Sequence, residues 1–275
     1  MGLVALIAVS LLAAEPPPEP LTLVLTPYRA PEELLARYRP LADRLGAAVG
    51  RPIELKVAPD FGAAAEMLLD GRGDLAELTP YAFVNGMQGN KLQPLAADAM
   101  VGRPGTGIII TRSESDITRL ELLKGKTFGF VDRFSSTGFL GPWANLQSKG
   151  FDPAELFTYR FAGSHGAVLR SVLQGELDAG AVSRHAFDQW KDEHPKSVGD
   201  LRVLLETSRM PGDVFAARAQ VSPADVKALG AALLQLSWEK AADKKVLDPI
   251  ARKAFVPVDV KEYAWLLRVA ASIKK

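Results

Sequence analysis

Strand-like and helix-like segments alternate through this 275-residue chain in two successive batches, which limits the fold to paired α/β units. Leu21–Thr26 (LTLVLT) is a short apolar run of the kind buried in a parallel sheet. Pro31–Val49 is predicted to be helical, with Leu34, Leu35, Tyr38, Leu41, Leu45 and Val49 at three- and four-residue steps and Gly50 ending the run. Ile53–Ala58 and Leu75–Leu78 read as strands, Ala63–Leu69 and Pro80–Gln88 as helices, and Gln93–Met100 and Gly107–Thr111 as extended. The second batch repeats this logic. Thr127–Val131, Leu156–Phe161, Ala179–Val182 and Leu201–Glu206 are extended, with helices at Gly138–Lys149, Ala167–Gln174 and Ala186–His194. Val214–Ala217 is extended, and long helices are expected at Pro223–Lys240 and Val260–Ala271, separated by a region broken at Pro249 and Pro257.

Composition removes several function classes. The chain has no cysteine, so disulfides, thiolate metal sites, iron–sulfur clusters and a lipidated N-terminal cysteine are excluded. A formal charge of +1 with dispersed basic residues speaks against a nucleic-acid surface. Three histidines, His165, His185 and His194, are too few for a histidine-rich metal centre, and no metal or cofactor is expected.

Met1–Ala14 (MGLVALIAVSLLAA) is apolar and uncharged, too short to span a bilayer, and similar to the core of a secretory signal. No basic residue precedes it, and Leu12 stands where a small residue would suit a cut after Ala14; a buried first helix is the alternative. Residues 15–20 (EPPPEP) look like an extended spacer. Removing 1–20 takes away Glu15 and Glu19 and no base, so the mature charge stays mildly positive.

In open parallel sheets, ligands bind beyond the carboxyl ends of strands. The residues at those positions here are Pro27-Tyr28, Thr79-Pro80-Tyr81, Asp132-Arg133-Phe134-Ser135-Ser136-Thr137-Gly138 and Ala162-Gly163-Ser164-His165. Ser135-Ser136-Thr137-Gly138 is the sharpest signal. A helix start carries amide groups without internal partners and roughly half a positive charge, so it can seat a tetrahedral oxyanion without a cation. Three hydroxyls add donors. The competing role is an ordinary helix cap, for which one hydroxyl suffices. His165 could offer a hydrogen bond or a cationic contact, and Tyr28 and Tyr81 could be core aromatics or phenols at a cleft rim.

Taken together, these residues resemble the phosphonate, phosphite and phosphate substrate-binding proteins of ABC importers over roughly residues 21–240. The resemblance is carried by Tyr38-Arg-Pro40-Leu-Ala-Asp-Arg-Leu45, Gly73-Asp74-Leu-Ala76 with Thr79-Pro80-Tyr81, Leu122-Leu-Lys124-Gly125-Lys126, Phe130-Val131-Asp132 leading to Ser135–Gly138, Gly163-Ser164-His165 and Gly175-Glu176-Leu-Asp178-Ala-Gly180-Ala181. It implies a two-lobed periplasmic-binding-protein type II fold, α/β, with two mixed sheets flanked by helices and a hinged cleft. It also implies ligand contacts at Tyr81, Ser135, Ser136, Thr137 and His165, with Tyr28 beside them. The family often carries Ser-Thr-Ser where this chain has Ser135-Ser136-Thr137. Asp213 matches an acid that aminophosphonate binders use for the ligand's ammonium. Ser183-Arg184-His185 stands where another acid is expected, which tilts the reading toward phosphate, phosphite or a small alkylphosphonate.

Gly125-Lys126-Thr127 ends like a phosphate-binding loop, but Leu120 replaces the first glycine and a strand follows. No Gly-x-Ser-x-Gly elbow occurs, and His185 and His194 are not spaced as a zinc pair. An enzyme using His165 as a base lacks a nucleophile and an orienting group. The expectation is an exported, monomeric binding protein with a small oxyanion ligand and an ABC permease as partners; a membrane sensor partner, or a sulfonate or other organic anion, are the alternatives. Lobe 1 is expected at 21–106 plus 212–275 and lobe 2 at 107–211, with the hinge near Gly105–Gly107 and Pro211–Gly212.

Overall fold

A computed structural model describes residues 18–89, 91–101 and 105–273. The apolar segment expected to direct export, with the spacer's first residues, lies at 1–17, outside the described residues.

The first sheet takes the order β11-β4-β10-β3-β1-β2. Its strands are β1 (Leu21–Leu25), β2 (Ile53–Val57), β3 (Leu75–Leu78), β4 (Leu92–Asp98), β10 (Val214–Arg218) and β11 (Phe255–Val256). β1 runs parallel to β2 and β3, whereas β10 is antiparallel to β3 and β4, so the sheet is mixed. The second sheet takes the order β7-β6-β8-β5-β9. It contains β5 (Gly107–Arg112), β6 (Thr127–Phe130), β7 (Thr158–Phe161), β8 (Ala179–Ser183) and β9 (Leu201–Glu206), with β6 parallel to β7 and β8 and β5 antiparallel to β8 and β9. The chain passes from the first sheet to the second between β4 and β5 and returns between β9 and β10.

Helices cover both sheets: α1 (Pro31–Val49), α2 (Phe61–Leu69), α3 (Pro80–Gly86), α4 (Gly141–Ser148), α5 (Pro153–Leu156), α6 (His165–Leu173), α7 (Arg184–Glu193), α8 (Pro223–Leu234), α9 (Ala241–Leu247) and α10 (Ala264–Ser272). α1 shows why the sequence folds this way. Pro31 opens it where no amide partner is needed, and Leu34, Tyr38, Leu41, Ala42 and Leu45 bury one face. Gly50 ends it in the left-handed conformation at φ 69°, donating its N–H to the Gly46 carbonyl. Each fully buried leucine contributes about 1.5–3 kcal/mol. Leu34, Leu41 and Leu45 pack on Leu23 and Leu25 of β1 in one core cluster.

The helix boundaries differ from expectation at both long C-terminal helices. The run expected over Pro223–Lys240 stops at Leu234, because the chain turns so that Ser237 bridges Ala254 and the Trp238 N–H reaches the Lys253 carbonyl at 2.9 Å. The run expected from Val260 begins as a tight three-residue-per-turn segment, Val260–Tyr263, with Asp259 capping the Lys261 amide, and becomes α10 at Ala264. The helix expected from Gly138 starts earlier, with a wide turn over Ser136–Leu140 that leads into α4.

Gly107, at the head of β5, sets the position of that wide turn. A methyl group built there would lie 2.2 Å from the Thr137 carbonyl oxygen and 3.2 Å from Pro142 Cδ. Backbone cannot yield as a flexible side chain does, so Gly107→Ala is expected to cost about 1–3 kcal/mol. Gly199→Ala, which meets nothing within 4 Å, should stay within about 0.5 kcal/mol of the parent. Chemical denaturation of the two variants checks both values.

Candidate functional site

The parallel strands of the two sheets end at the same cavity, of about 570 Å3, and several helices begin there. Ser135, Ser136 and Thr137 line it from the loop after β6, Ser164, His165 and Gly166 from the loop after β7, Ser183, His185 and Ala186 from the exit of β8, and Thr79 and Pro80 from the exit of β3. Three of these exits were read from the strand–helix pattern, and the fourth, Ser183-Arg184-His185 after β8, only through the family resemblance.

Ser135 combines the two roles left open above. Its Oγ accepts the Gly138 amide at 3.0 Å, an ordinary cap, and it also lines the cavity. A hydroxyl that accepts one hydrogen bond can still donate another. The turn that follows is a π turn: the Leu140 N–H bonds to the Ser135 carbonyl, five residues back, at 3.1 Å, and the Gly141 N–H bonds to the Ser136 carbonyl. Five-residue bonds leave one more leading amide without an internal acceptor than an α-helix does. Among the described residues, the Ser136 and Thr137 N–H groups and the Thr137 hydroxyl have no hydrogen-bond partner. Ser136 is buried, and its Oγ accepts the Tyr81 N–H at 3.1 Å, leaving its own proton to donate.

His165 is the first residue of α6, with Ser164 as cap bonding the Ala167 amide at 3.2 Å. The Ser183 N–H donates to His165 Nδ1 at 3.1 Å, which places the ring proton on Nε2. Burial lowers its pKa from 6.5 to about 4. In the empty protein the ring is therefore neutral near pH 7, with Nε2–H as its donor. An Nε2–H and the amides of two helix starts can hydrogen-bond several oxygens of one anion.

The opposite wall is an ion cluster built on Arg252. Its Nη2 donates to Glu77 at 2.6 Å and to Asp213 at 3.2 Å, its Nε lies 3.0 Å from Asp98, and its Nη1 bonds the Ile250 carbonyl at 3.1 Å. Burial opposes the guanidinium charge, but the carboxylates of Asp98 and Glu77 outweigh it and hold the pKa well above its usual value. Tyr38 donates to Glu77, and the Tyr28 hydroxyl meets the Tyr38 hydroxyl at 2.8 Å. With the Tyr38 proton given to Glu77, Tyr28 is the donor of that pair. Burial, then the Glu77 charge, raise the Tyr28 pKa, so the phenol stays protonated. Tyr28 lines the cavity, but its proton points into the protein's own network. Asp213 also lines the cavity, with Arg252 beside it.

Tyr81 departs from its expected place. Its ring stacks on Phe134 at 5.2 Å and 21°, and it is not among the residues lining the cavity; its backbone N–H is what meets the seat, at Ser136 Oγ. Half-buried Phe134 gives the ring an apolar partner that a solvated cleft rim does not. The same loop is held by Thr79 Oγ1, which donates to the Phe134 carbonyl at 2.7 Å. A second bridge joins the two sheets' segments where Arg29 donates to Gln189 at 2.6 Å and lies 3.6 Å from Glu193.

Sequence reasoning missed Arg252, Glu77 and Tyr38. Glu77 did leave a signal: a lone carboxylate in the buried run Leu75–Leu78 requires a buried partner.

Residues 23–263 match the sequence profile of the family described as ABC transporter, phosphonate, periplasmic substrate-binding protein. The phosphate-import protein PhnD of Mycolicibacterium smegmatis is 32% identical over 227 residues, covering 76% of this chain and 70% of that protein. The phosphonates-binding periplasmic protein of Escherichia coli is 24% identical over 200 residues, covering 70% and 58%. Among solved structures, PhnD1 from Prochlorococcus marinus in complex with methylphosphonate superposes with a TM-score of 0.82 at 20% identity, over 92% of this chain and 97% of that one.

The geometry yields two expectations. His165 is neutral in the fold, so folding must oppose its protonation; the unfolded chain binds that proton near pH 6.5 and the folded chain only near pH 4. Its contribution to stability is therefore complete above about pH 6.5 and is lost as pH falls toward 4, by about 1.4 kcal/mol per pH unit. His165→Asn, which keeps an acceptor at the Nδ1 position for Ser183, should flatten the wild-type stability profile by that slope in this window. Arg252→Met removes the buried guanidinium from among three carboxylates and should cost about 3–5 kcal/mol, measured by denaturant unfolding.

Proposed function

The chain belongs to the family of periplasmic substrate-binding proteins of phosphonate ABC transporters, and on that footing we propose that it captures a small phosphorus oxyanion (phosphate, phosphite or an alkylphosphonate) outside the cytoplasm and presents it to an ABC permease. The observation that carries this reading is the convergence of unpartnered donors: the Ser136 and Thr137 amides, the Thr137 hydroxyl and the His165 Nε2–H belong to residues that line one cavity. The matching names of relatives, a phosphate-import protein and a protein solved with methylphosphonate, support the same ligand class.

Binding rather than chemistry is the mechanism. The anion sits at the start of the Ser136 turn, and the helix dipole and hydroxyls neutralise it without a cation. His165 adds a fixed neutral donor. Asp213 is engaged by Arg252, and basic Arg184 and His185 stand where the family's second acid is expected, so a simple oxyanion is preferred here to an aminoalkyl one. A micromolar ligand needs about −8 kcal/mol; three or four charge-assisted hydrogen bonds at about 1.5–3 kcal/mol each supply that scale after the losses of association.

The lobes of this reading are residues 21–106 with 212–275, and 107–211, moving as a monomer about crossings near Gly105–Gly107 and Pro211–Gly212. The ligand favours the closed arrangement only through contacts that exist there, such as those aligned by the Tyr81–Ser136 and Arg29–Gln189 bridges.

Phosphate, phosphite or methylphosphonate at millimolar concentration should raise the melting temperature; a rise with taurine alone would reassign the ligand to sulfonates. Thr137→Val removes an unpartnered hydroxyl while keeping shape. It should weaken anion affinity roughly 10- to 100-fold with little change in the melting point of the empty protein, as followed by calorimetric titration and thermal unfolding. Small-angle scattering should report compaction on adding the tight-binding anion, and an unchanged radius would speak against hinged closure.

A further inference from the structure

Two phenylalanines cross between the halves of the molecule in opposite directions. Phe61 is the first residue of α2, beside the first sheet, yet its side chain is 2% exposed and sits in the core of the second sheet's half. That core cluster is built from residues such as Ile108 and Ile110 of β5, Val168 and Leu169 of α6 and Val182 of β8. Among the described residues, Phe61 is its one buried member from outside 107–211. Its ring meets His165 edge-on, at 6.4 Å and 73°.

Phe134 makes the reverse crossing. It belongs to the loop after β6, and its ring stacks on Tyr81 of α3 and covers Gly62 of α2. A methyl group at Gly62 would lie 2.6 Å from two carbons of that ring, so the ring occupies room that only a glycine leaves. The backbone follows the side chain, with the Phe134 carbonyl taking the Thr79 hydroxyl at 2.7 Å.

These contacts join the protein's own groups, and parting the halves would undo them together. Phe61 would leave an apolar core for water, and Phe134 would leave Tyr81. One pair of charges works the other way. Burial and the Asp60 carboxylate disfavour the charge on Asp132, which lies in the Phe134 loop, while the Phe134 and Phe61 amides and the Arg133 guanidinium favour it. The apolar crossings are thus what holds this side of the cleft together. They adjoin the seat at both ends, since Phe61 packs on His165 and Phe134 precedes Ser135.

Resting on the reading of the chain as two halves that close over an oxyanion seat, we propose that Phe61 and Phe134 form a reciprocal clasp that holds the empty protein largely closed, so that both entry and release of the anion wait on its opening. They are positioning residues: they act through the population of the closed arrangement and not as donors to the anion. This gives the clasp a kinetic signature. A protein that is mostly closed when empty binds only through its open fraction, so loosening the clasp speeds association as well as dissociation. Damage to the seat speeds dissociation alone.

The test is stopped-flow kinetics with phosphate and methylphosphonate on the full protein, followed by tryptophan fluorescence, together with small-angle scattering of the unliganded proteins. Phe134→Ala should speed association roughly threefold or more and dissociation roughly tenfold or more. Gly62→Ala raises helix propensity and touches no seat residue, so it should keep the fold intact while moving both rates the same way. The double variant should be no faster than Phe134→Ala alone, because the two changes remove one contact. Phe134→Tyr keeps the ring and should stay within about twofold of wild type. Thr137→Val, a seat change, should speed dissociation only. Unliganded Phe134→Ala and Gly62→Ala should show a larger radius of gyration than unliganded wild type. Wild-type rates in both clasp variants, faster dissociation at unchanged association, or equal unliganded radii each overturn the proposal and leave the seat standing. If wild type binds neither anion, the seat assignment itself falls, and the radii alone decide the clasp.

Discussion

A helix start without an acceptor for its leading amides is the constraint around which this molecule is arranged. Each unpartnered N–H held away from bulk water costs free energy comparable to a lost hydrogen bond. The protein satisfies some of them itself: Ser135, Ser164 and Ser183 cap Gly138, Ala167 and Ala186, and Ser136 takes the Tyr81 amide. It leaves others open at Ser136, Thr137 and His165, and the wide turn at Ser136 increases their number. Water can meet this need, but an anion meets it better, because the donors and the aligned peptide dipoles are fixed before it arrives.

That preorganisation depends on a wall that does not itself answer the seat. Three carboxylates, Glu77, Asp98 and Asp213, lie on the far side, and left alone they would repel an anionic guest. Arg252 gathers all three from β3, β4 and the return crossing. It ties the first sheet to the second crossing between the units and lowers the negative field that the cavity would otherwise carry. Tyr38 and Tyr28 extend the same cluster, each spending its proton inward. The polarity of the cleft is thus divided, with hydrogen-bond donors at the helix starts on one side and a cluster of acids gathered around Arg252 on the other.

Much of this was legible in the sequence. Strand β3 was read at its observed bounds, and the paired α/β organisation followed from alternating apolar runs, because buried parallel strands and one-sided helices impose different periods on their residues. The Ser135–Thr137 hydroxyls were found because a strand exit entering a helix has a known chemical consequence. What stayed hidden was long-range. Nothing near Arg252 in sequence announces Glu77, 175 residues away, and Tyr81 could not be told from a cleft phenol until Phe134 was seen beneath its ring. The late break at Leu234 is of the same kind, since residues beyond it are drawn off by Lys253 and Ala254 rather than by any local stop signal.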